Sequence, residues 1–386
     1  MAISRPNSTS GRSNAVVLIL TVLLLLVGTE LVLRVFYRPE MVKSAVRYDP
    51  LVGWSLIPGA SIQTNMTERG IRNHIDIDSY GLREREFPVH SHAHRRILIL
   101  GDSIAFGSGL DYGERFSEVL GHELGDSTEV INAGIPGWGN DQEMLFYEKR
   151  LRALRPDVVM LVFTGGNDVV NNALSGALLE GGTKPRFQLS ANDSLVLTPP
   201  APPVQLSTMV QFKHLLHKSR LLVFARRRLM RLTYRRHVHA ETSQQLHGFE
   251  SYRDLSHWSV YENPPDDATA AAWKVTEAIL SRLAADCRAD SARFMIFAMP
   301  LKLEVDDAWR EHMIKGTNAD ASRLDMGYPY RRLSAYCAAH GIEFHYPIDQ
   351  FRAAAAHDQL YFKVDSHPNV RGNQVAADCM REILHS

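Results

Sequence analysis

Residues Arg96–Gly109 read RILILGDSIAFGSG. The apolar run Ile97–Leu100 predicts a short, fully buried strand, and Gly101-Asp102-Ser103 ends it at once. A helical pattern follows over Glu114–Leu124, with Phe116, Val119, Leu120 and Leu124 on one face. Ser103 therefore falls at the carboxyl end of a buried strand, where open α/β sheets bind their ligands. Taken alone, the tripeptide equally describes a βα turn with a capping serine. Its meaning depends on what the rest of the chain brings to the same place.

Downstream, strand and helix patterns alternate. Glu129–Ile131 predicts a second strand, ending in Asn132-Ala133-Gly134, and Asp141–Leu154 a helix closed by Pro156. Val158–Phe163 is a third buried strand, ending in Thr164-Gly165-Gly166-Asn167-Asp168. Helix Thr269–Asp286 precedes strand Phe294–Met299. Helix Arg331–His340 stops at Gly341 before strand Ile342–Tyr346, and a last helix covers Gly372–Leu384. This alternation predicts an α/β domain over residues 93–386, with a parallel sheet covered on both faces.

An insertion spans residues 170–265. Within it, Phe187–Leu197 predicts a hairpin around Asn192-Asp193, and Thr198–Pro203 a stiff connector. Met209–His239 interleaves Lys218, Arg226, Arg227 and Arg231 with Leu215, Leu222, Phe224 and Leu229. That is the pattern of an amphipathic helix with a solvated basic face; a membrane-surface or anionic-substrate patch is the alternative.

Ahead of the α/β domain, residues 44–92 carry Asp49-Pro50, Gly53-Trp54, Pro58-Gly59 and Tyr80-Gly81 with short alternating pieces, and predict a β-rich connector. Residues 1–14 are polar. Ala15–Tyr37, 23 residues, would make a helix about 34 Å long, against a hydrocarbon core of roughly 30 Å. The segment is expected to be an uncleaved transmembrane anchor over residues 15–37 rather than a signal peptide. It lacks an A-x-A site, and the apolar pattern resumes after Glu30. Glu30 and Arg34, one helical turn apart, are placed to pair.

The 386 residues are 45% hydrophobic and 22% charged, enough for a packed core. Lys+Arg and Asp+Glu balance at 43 each, so no global charge argues for a nucleic-acid partner, and none is expected. Cys287, Cys337 and Cys379 lack metal-ligand spacing and fall in, or at the end of, predicted helices; they read as packing residues, with at most one disulfide.

A parallel sheet brings its strand ends to one edge. Here those ends carry Gly101-Asp102-Ser103, Gly134-Ile135-Pro136-Gly137 and Gly165-Gly166-Asn167-Asp168, and Asp365-Ser366-His367-Pro368-Asn369 precedes the last helix. Together they supply the parts of acyl transfer. Ser103 Oγ is a nucleophile that needs a base. His367 can be that base, and Asp365 can hold its other ring nitrogen. Ser103 N–H, Gly137 N–H and the Asn167 amide can form an oxyanion hole. Each piece alone has an ordinary reading as a cap or turn; four of them falling where one site requires them do not.

These blocks resemble the SGNH/GDSL hydrolase superfamily: GDSIAFG its first block, INAGIPGWG its second, TGGND its third and DSHPNVRGN its last. The resemblance implies a flavodoxin-like three-layer sandwich, here preceded by a transmembrane helix and a small β-rich region. It implies Ser103, His367 and Asp365 as a catalytic triad, with Ser103, Gly137 and Asn167 as oxyanion donors, and no metal or organic cofactor. The expected activity is that of a serine esterase cleaving acetyl esters from a carbohydrate or lipid-linked substrate through an acyl-enzyme. The last block reads Asp-x-His where Asp-x-x-His is usual, resembling members with Asp-Gly-His-Trp-Asn, including alginate O-acetyltransferase-like proteins. Pro368 stands where their Trp would be. The alternatives are therefore an O-acyltransferase supplied by a membrane-bound acyl-donor partner, or a non-catalytic binding module. Asp49–Glu86 also resembles the amino-terminal region of membrane-anchored bacterial SGNH proteins, which implies an extracytoplasmic catalytic domain, periplasmic or extracellular.

Overall fold

The computed structural model describes residues 9–36, 45–66, 71–89, 95–174, 176, 182–202, 219, 221, 258–317, 319–363 and 366–385. The chain forms two compact units, residues 1–40 with 205–238, and residues 41–204 with 239–386. In the first, helix α1 (Thr9–Phe36) carries the apolar run. Its stretch Val16–Leu33 has a mean hydropathy of 2.8 and is wholly unburied. Among the described residues it is the one helix long and apolar enough to cross a membrane. Glu30 accepts hydrogen bonds from the Ser219 hydroxyl and the Leu221 N–H, both at 2.9 Å, so a carboxylate within an apolar run is met by donors. The Arg34 side chain and, apart from Ser219 and Leu221, the basic segment Met209–His239 lie outside the described residues.

The second unit opens with two antiparallel hairpins, β1–β2 (Val46–Asp49, Gly53–Leu56) and β3–β4 (Ser61–Met66, Ile71–Asp76). Then follow β5 (Arg95–Leu100), α2 (Ser103–Phe106), α3 (Phe116–Leu124), β6 (Thr128–Asn132), α4 (Asn140–Phe146), β7 (Val158–Phe163) and α5 (Gly165–Ala173). The expected hairpin is β8–β9 (Arg186–Leu189, Leu195–Thr198), turning where Asp193 has φ +55°. The chain closes with α6 (Asp267–Ala289), β10 (Arg293–Ala298), α7 (Lys302–Val305), α8 (Asp307–Thr317), α9 (Tyr328–His340), β11 (Glu343–His345), α10 (Ile348–Ala355) and α11 (Val370–His385).

Five strands form a parallel sheet in the order β6-β5-β7-β10-β11. This is the flavodoxin-like arrangement, with its switch point between β5 and β7. The strands read as continuous apolar runs because both faces are covered. Ile97 and Ile99 face Phe116, Leu120, Ala376 and Met380. Leu98 and Leu100 face the opposite layer, which holds Met144, Leu280 and Leu333. Val52, Trp54, Leu56, Ile75, Ile77 and Leu82 join that second core, so the β-rich segment packs into the α/β body. All three cysteines are free and buried; burial pushes each thiol up to about 12, which keeps it unreactive.

Two helices differ from expectation. The one expected from Glu114 starts at Phe116. Tyr112–Glu114 form a 3-10 turn and Arg115 is extended, its buried guanidinium reaching Glu84 at 3.0 Å and Glu118 at 2.8 Å. The one expected over Asp141–Leu154 is α-helical only to Phe146 and continues as a π turn and a 3-10 turn. There Tyr147 and Arg152 reach Asp290, and Arg150 reaches Asp49. In both places tertiary contacts override a periodicity that is correct on average.

Candidate active site

At the end of β5 the chain turns into α2, a single helical turn whose N-cap is Asp102 and whose first residue is Ser103. Asp102 Oδ1 accepts the Ile104 N–H at 2.8 Å, so the cap of this turn is the aspartate, not the serine. That leaves the Ser103 hydroxyl for other work. Its Oγ lies 2.8 Å from Nε2 of His367. His367 is held by a tight loop: the Phe362 N–H donates to His367 O at 3.1 Å, and the Asn369 N–H to Leu360 O at 2.9 Å. Lys302 Nζ donates to the carbonyls of Phe362 and Lys363 at 2.8 and 2.9 Å, tying the start of this loop to α7. Asn373 of α11 donates to Pro368 O and accepts the Phe116 N–H. Asp365 lies outside the described residues.

Gly137 belongs to the loop after β6. The Ala133 and Ile135 N–H groups donate to Ile99 O and Gly101 O, at 2.8 and 3.0 Å, so this loop is laced directly to the end of β5. Gly137 itself has φ +80°. Asn167 lies in the first turn of α5, and its Nδ2 donates to Asp102 Oδ2 at 2.5 Å. A carboxylate only accepts, so the amide presents its nitrogen to the Ser103 turn. That nitrogen carries two hydrogens, of which this bond uses one. Ser103, Gly137, Asn167 and His367 are all half-buried, in a floor whose other residues are largely buried.

Carboxyl groups crowd the far side of this floor. Asn140 Nδ2 donates to Glu143 Oε2 at 3.0 Å and to Asp168 Oδ2 at 3.2 Å. Burial pushes Glu143 up to about 8, with Asp102 and Asp141 adding to the rise, and pushes Asp168 well above the usual carboxylate range, with Glu143 and Asp102 adding to it. Asp102 is also raised by burial, and is held back by its Ile104 and Asn167 hydrogen bonds and by positive charge on His367. A second buried acid, Glu304, accepts from the Tyr261 and Tyr330 hydroxyls on Oε1, and from Tyr346 and the Leu301 N–H on Oε2. The Tyr330 hydroxyl lies 2.7 Å from where a Cβ on Gly165 would sit, which is why the turn entering α5 has glycine there.

Burial raises Glu304 from 4.5 to about 7, with the four donors opposing the rise. A raised acid contributes stability below its unfolded pKa and loses it as pH rises through the folded value. Glu304→Gln removes this dependence. The wild-type advantage in urea denaturation should fall by about 3 kcal/mol between pH 4 and pH 8. A pH-independent difference between the two proteins would show that Glu304 does not titrate in this way.

The structure thus brings Ser103 to His367, and Asn167 to the turn that carries Ser103. The part of Asp102 in clasping Asn167 had only one local signal, an aspartate just before a helix start. Lys302 and Glu304, far along the chain from Ser103, gave none.

The model of the GDSL-like lipase/acylhydrolase family matches residues 99–375. No curated protein matches the sequence. Similar solved structures include an acetyl xylan esterase with 12% identity, covering 75% of this chain and 99% of its own, at a TM-score of 0.39. A GDSL-like lipase from Bacteroides thetaiotaomicron has 11% identity, with 78% and 92% covered and a TM-score of 0.38. A catalytic mutant of an acetylxylan esterase from Geobacillus stearothermophilus has 14% identity, with 75% and 94% covered and a TM-score of 0.37.

Proposed function

Because the chain belongs to the GDSL-like lipase/acylhydrolase family, we propose that it is a serine esterase that removes short acyl groups, acetyl first among them, from hydroxyls of a carbohydrate or lipid-linked substrate. The observation that carries this reading is the 2.8 Å approach of Ser103 Oγ to His367 Nε2 at the switch point of the sheet. His367 takes the Ser103 proton as Oγ attacks the ester carbonyl. The tetrahedral oxyanion is met by the Ser103 and Gly137 N–H groups and by the second N–H of Asn167. Collapse expels the alcohol, which leaves with the proton from His367, and the acyl group stays on Ser103. Water, deprotonated by His367, then releases the acid. Asp365 orients the imidazole. The acetyl preference is supported by the Asp-x-His spacing of the last block, which resembles that of acetyl-transferring relatives.

Helix α1 anchors the protein in a membrane, with the catalytic unit outside the cytoplasm. The support for the anchor is its wholly unburied apolar stretch, and for the side of the membrane the resemblance of Asp49–Glu86 to the amino-terminal region of membrane-anchored bacterial SGNH proteins. Recovery of the full chain in the membrane fraction after carbonate washing is expected, and release into the wash would overturn the anchor.

The test of the activity is labelling by a fluorophosphonate probe, mapped to Ser103 by peptide analysis, together with acetate release from a panel of acetylated glycans. A folded protein that neither labels nor releases acetate is not an esterase. Asn167→Ala should lower kcat by about 10²–10³ with KM nearly unchanged, the loss of one oxyanion donor. A KM effect alone would place Asn167 in substrate binding instead.

A further inference from the structure

Resting on that esterase reading, we propose that the β-rich segment ahead of the family-matched residues is part of the catalytic apparatus. Within it, Arg83 is a positioning residue for the nucleophile turn and Trp54 one for the oxyanion loop. Arg83 is 1% exposed. Its Nη1 donates to Phe106 O at 3.1 Å and Gly107 O at 2.8 Å, and its Nη2 to Leu110 O at 2.5 Å. Phe106 is the last residue of α2 and Gly107 its C-cap. One planar guanidinium therefore gathers the carbonyls at the end of the turn that begins with Ser103. A single helical turn has no second turn to stabilise it, and its terminal carbonyls need outside donors. Burial and the neighbouring Arg115 push Arg83 down to about 9, so it still carries its charge at neutral pH. A lysine, a compact point charge, cannot reproduce this fork.

Trp54 acts on the other half of the site. It is 1% exposed. Its indole N–H donates to Pro136 O at 3.3 Å, and its own carbonyl accepts the Trp138 indole N–H at 3.1 Å. Its ring lies 3.5 Å from where a Cβ on Gly137 would sit. The peptide that presents the Gly137 N–H is thus braced from below by a side chain of β2. Gln142, where α4 begins after this loop, adds a bond to Val52 O at 2.7 Å.

The nucleophile follows β5 and the Gly137 donor follows β6. Their separation must hold to a fraction of an ångström if the oxyanion is to meet its donors. Arg83 and Trp54 grip the two sides, and they are joined through the packing of Val52, Leu56, Ile75, Ile77 and Leu82 in one core. The segment works as a bracket across the two loops.

The experiment uses the full chain with Arg83→Met, Arg83→Lys and Trp54→Phe. Arg85→Ala, which alters an exposed side chain of the same segment, is the control. Steady-state kinetics with p-nitrophenyl acetate and the rate of fluorophosphonate labelling are measured per folded molecule, with the folded fraction from circular dichroism. Arg83→Met should cut kcat about tenfold or more with KM within about twofold, and Arg83→Lys should recover part of the loss. Trp54→Phe, which keeps an aromatic side chain but loses both the bond to Pro136 and the Cζ2 contact beside Gly137, should cost about threefold to tenfold in kcat. Labelling rates should fall in parallel, and Arg85→Ala should match wild type. A purely stabilising bracket would lower the folded fraction and leave each folded molecule as fast as before. Wild-type rates in folded Arg83→Lys and Trp54→Phe therefore overturn the proposal, whether or not Arg83→Met folds. If wild-type Ser103 fails to label, the esterase reading falls and this one with it. Labelled wild type with unimpaired variants overturns this one alone.

Discussion

Ser103→Ala is expected to lower the turnover of an acetyl ester by a factor on the order of 10⁵ or more and to abolish fluorophosphonate labelling. The turn it sits in should be undisturbed, because Asp102 rather than Ser103 supplies the cap. The variant should therefore melt as the wild type does, and the loss can be assigned to chemistry. His367→Ala should cost about as much, and the double variant no more than either, because the serine has no activated form without its base. The residual rate in all three should exceed the uncatalysed one, from the oxyanion donors that remain. Additive losses in the double variant would mean that Ser103 and His367, though 2.8 Å apart, act in separate steps. Asp365→Asn reports on the short Asp-x-His spacing. A loss well below that of His367→Ala would assign the orienting role elsewhere.

Gly134→Ala is expected to destabilise the fold by about 3 kcal/mol or more and to lower activity in whatever folds. A Cβ at this position would lie 2.4 Å from the Phe106 nitrogen and 2.7 Å from the Ala105 carbonyl carbon, both backbone atoms of α2 that no rotamer change can move aside. The contact is deliberate in its surroundings. The Gly134 N–H donates to Asn132 Oδ1 at 2.9 Å, and Asn132 Nδ2 donates to Ala105 O at 2.7 Å. An added methyl must either break this pair or push α2 and Ser103 away from His367. Urea denaturation and the labelling rate together check the expectation. Wild-type values in both would mean that the loop after β6 and α2 do not pack as closely as described.

How much of this was legible beforehand follows from the range of the forces involved. The strands Ile97–Leu100 and Val158–Phe163 declared themselves because a sheet covered on both faces needs unbroken apolar runs. The hairpin at Asn192-Asp193 declared itself through turn residues. The starts of α3 and the end of α4 did not, since a buried Arg115 and the reach of Tyr147 to Asp290 altered backbones whose local pattern was helical. The β-rich segment was readable as hairpins and turns, but nothing in its own residues says that Arg83 and Trp54 turn inward onto the loops of another region.

The sequence by itself determined the alternation of strands and helices, the edge at which their ends gather, and the four blocks carrying Ser103, Gly137, Asn167 and His367. Those are properties of periodicity and of parallel-sheet connectivity, which act over a few residues at a time. Only the tertiary structure decided that Ser103 Oγ meets His367 Nε2, that Asp102 both caps α2 and clasps Asn167, and that a guanidinium 20 residues before Ser103 holds its turn. Such contacts depend on side-chain directions accumulated over the whole packed core, and a hydrogen bond is made or lost within a fraction of an ångström, finer than any local pattern records.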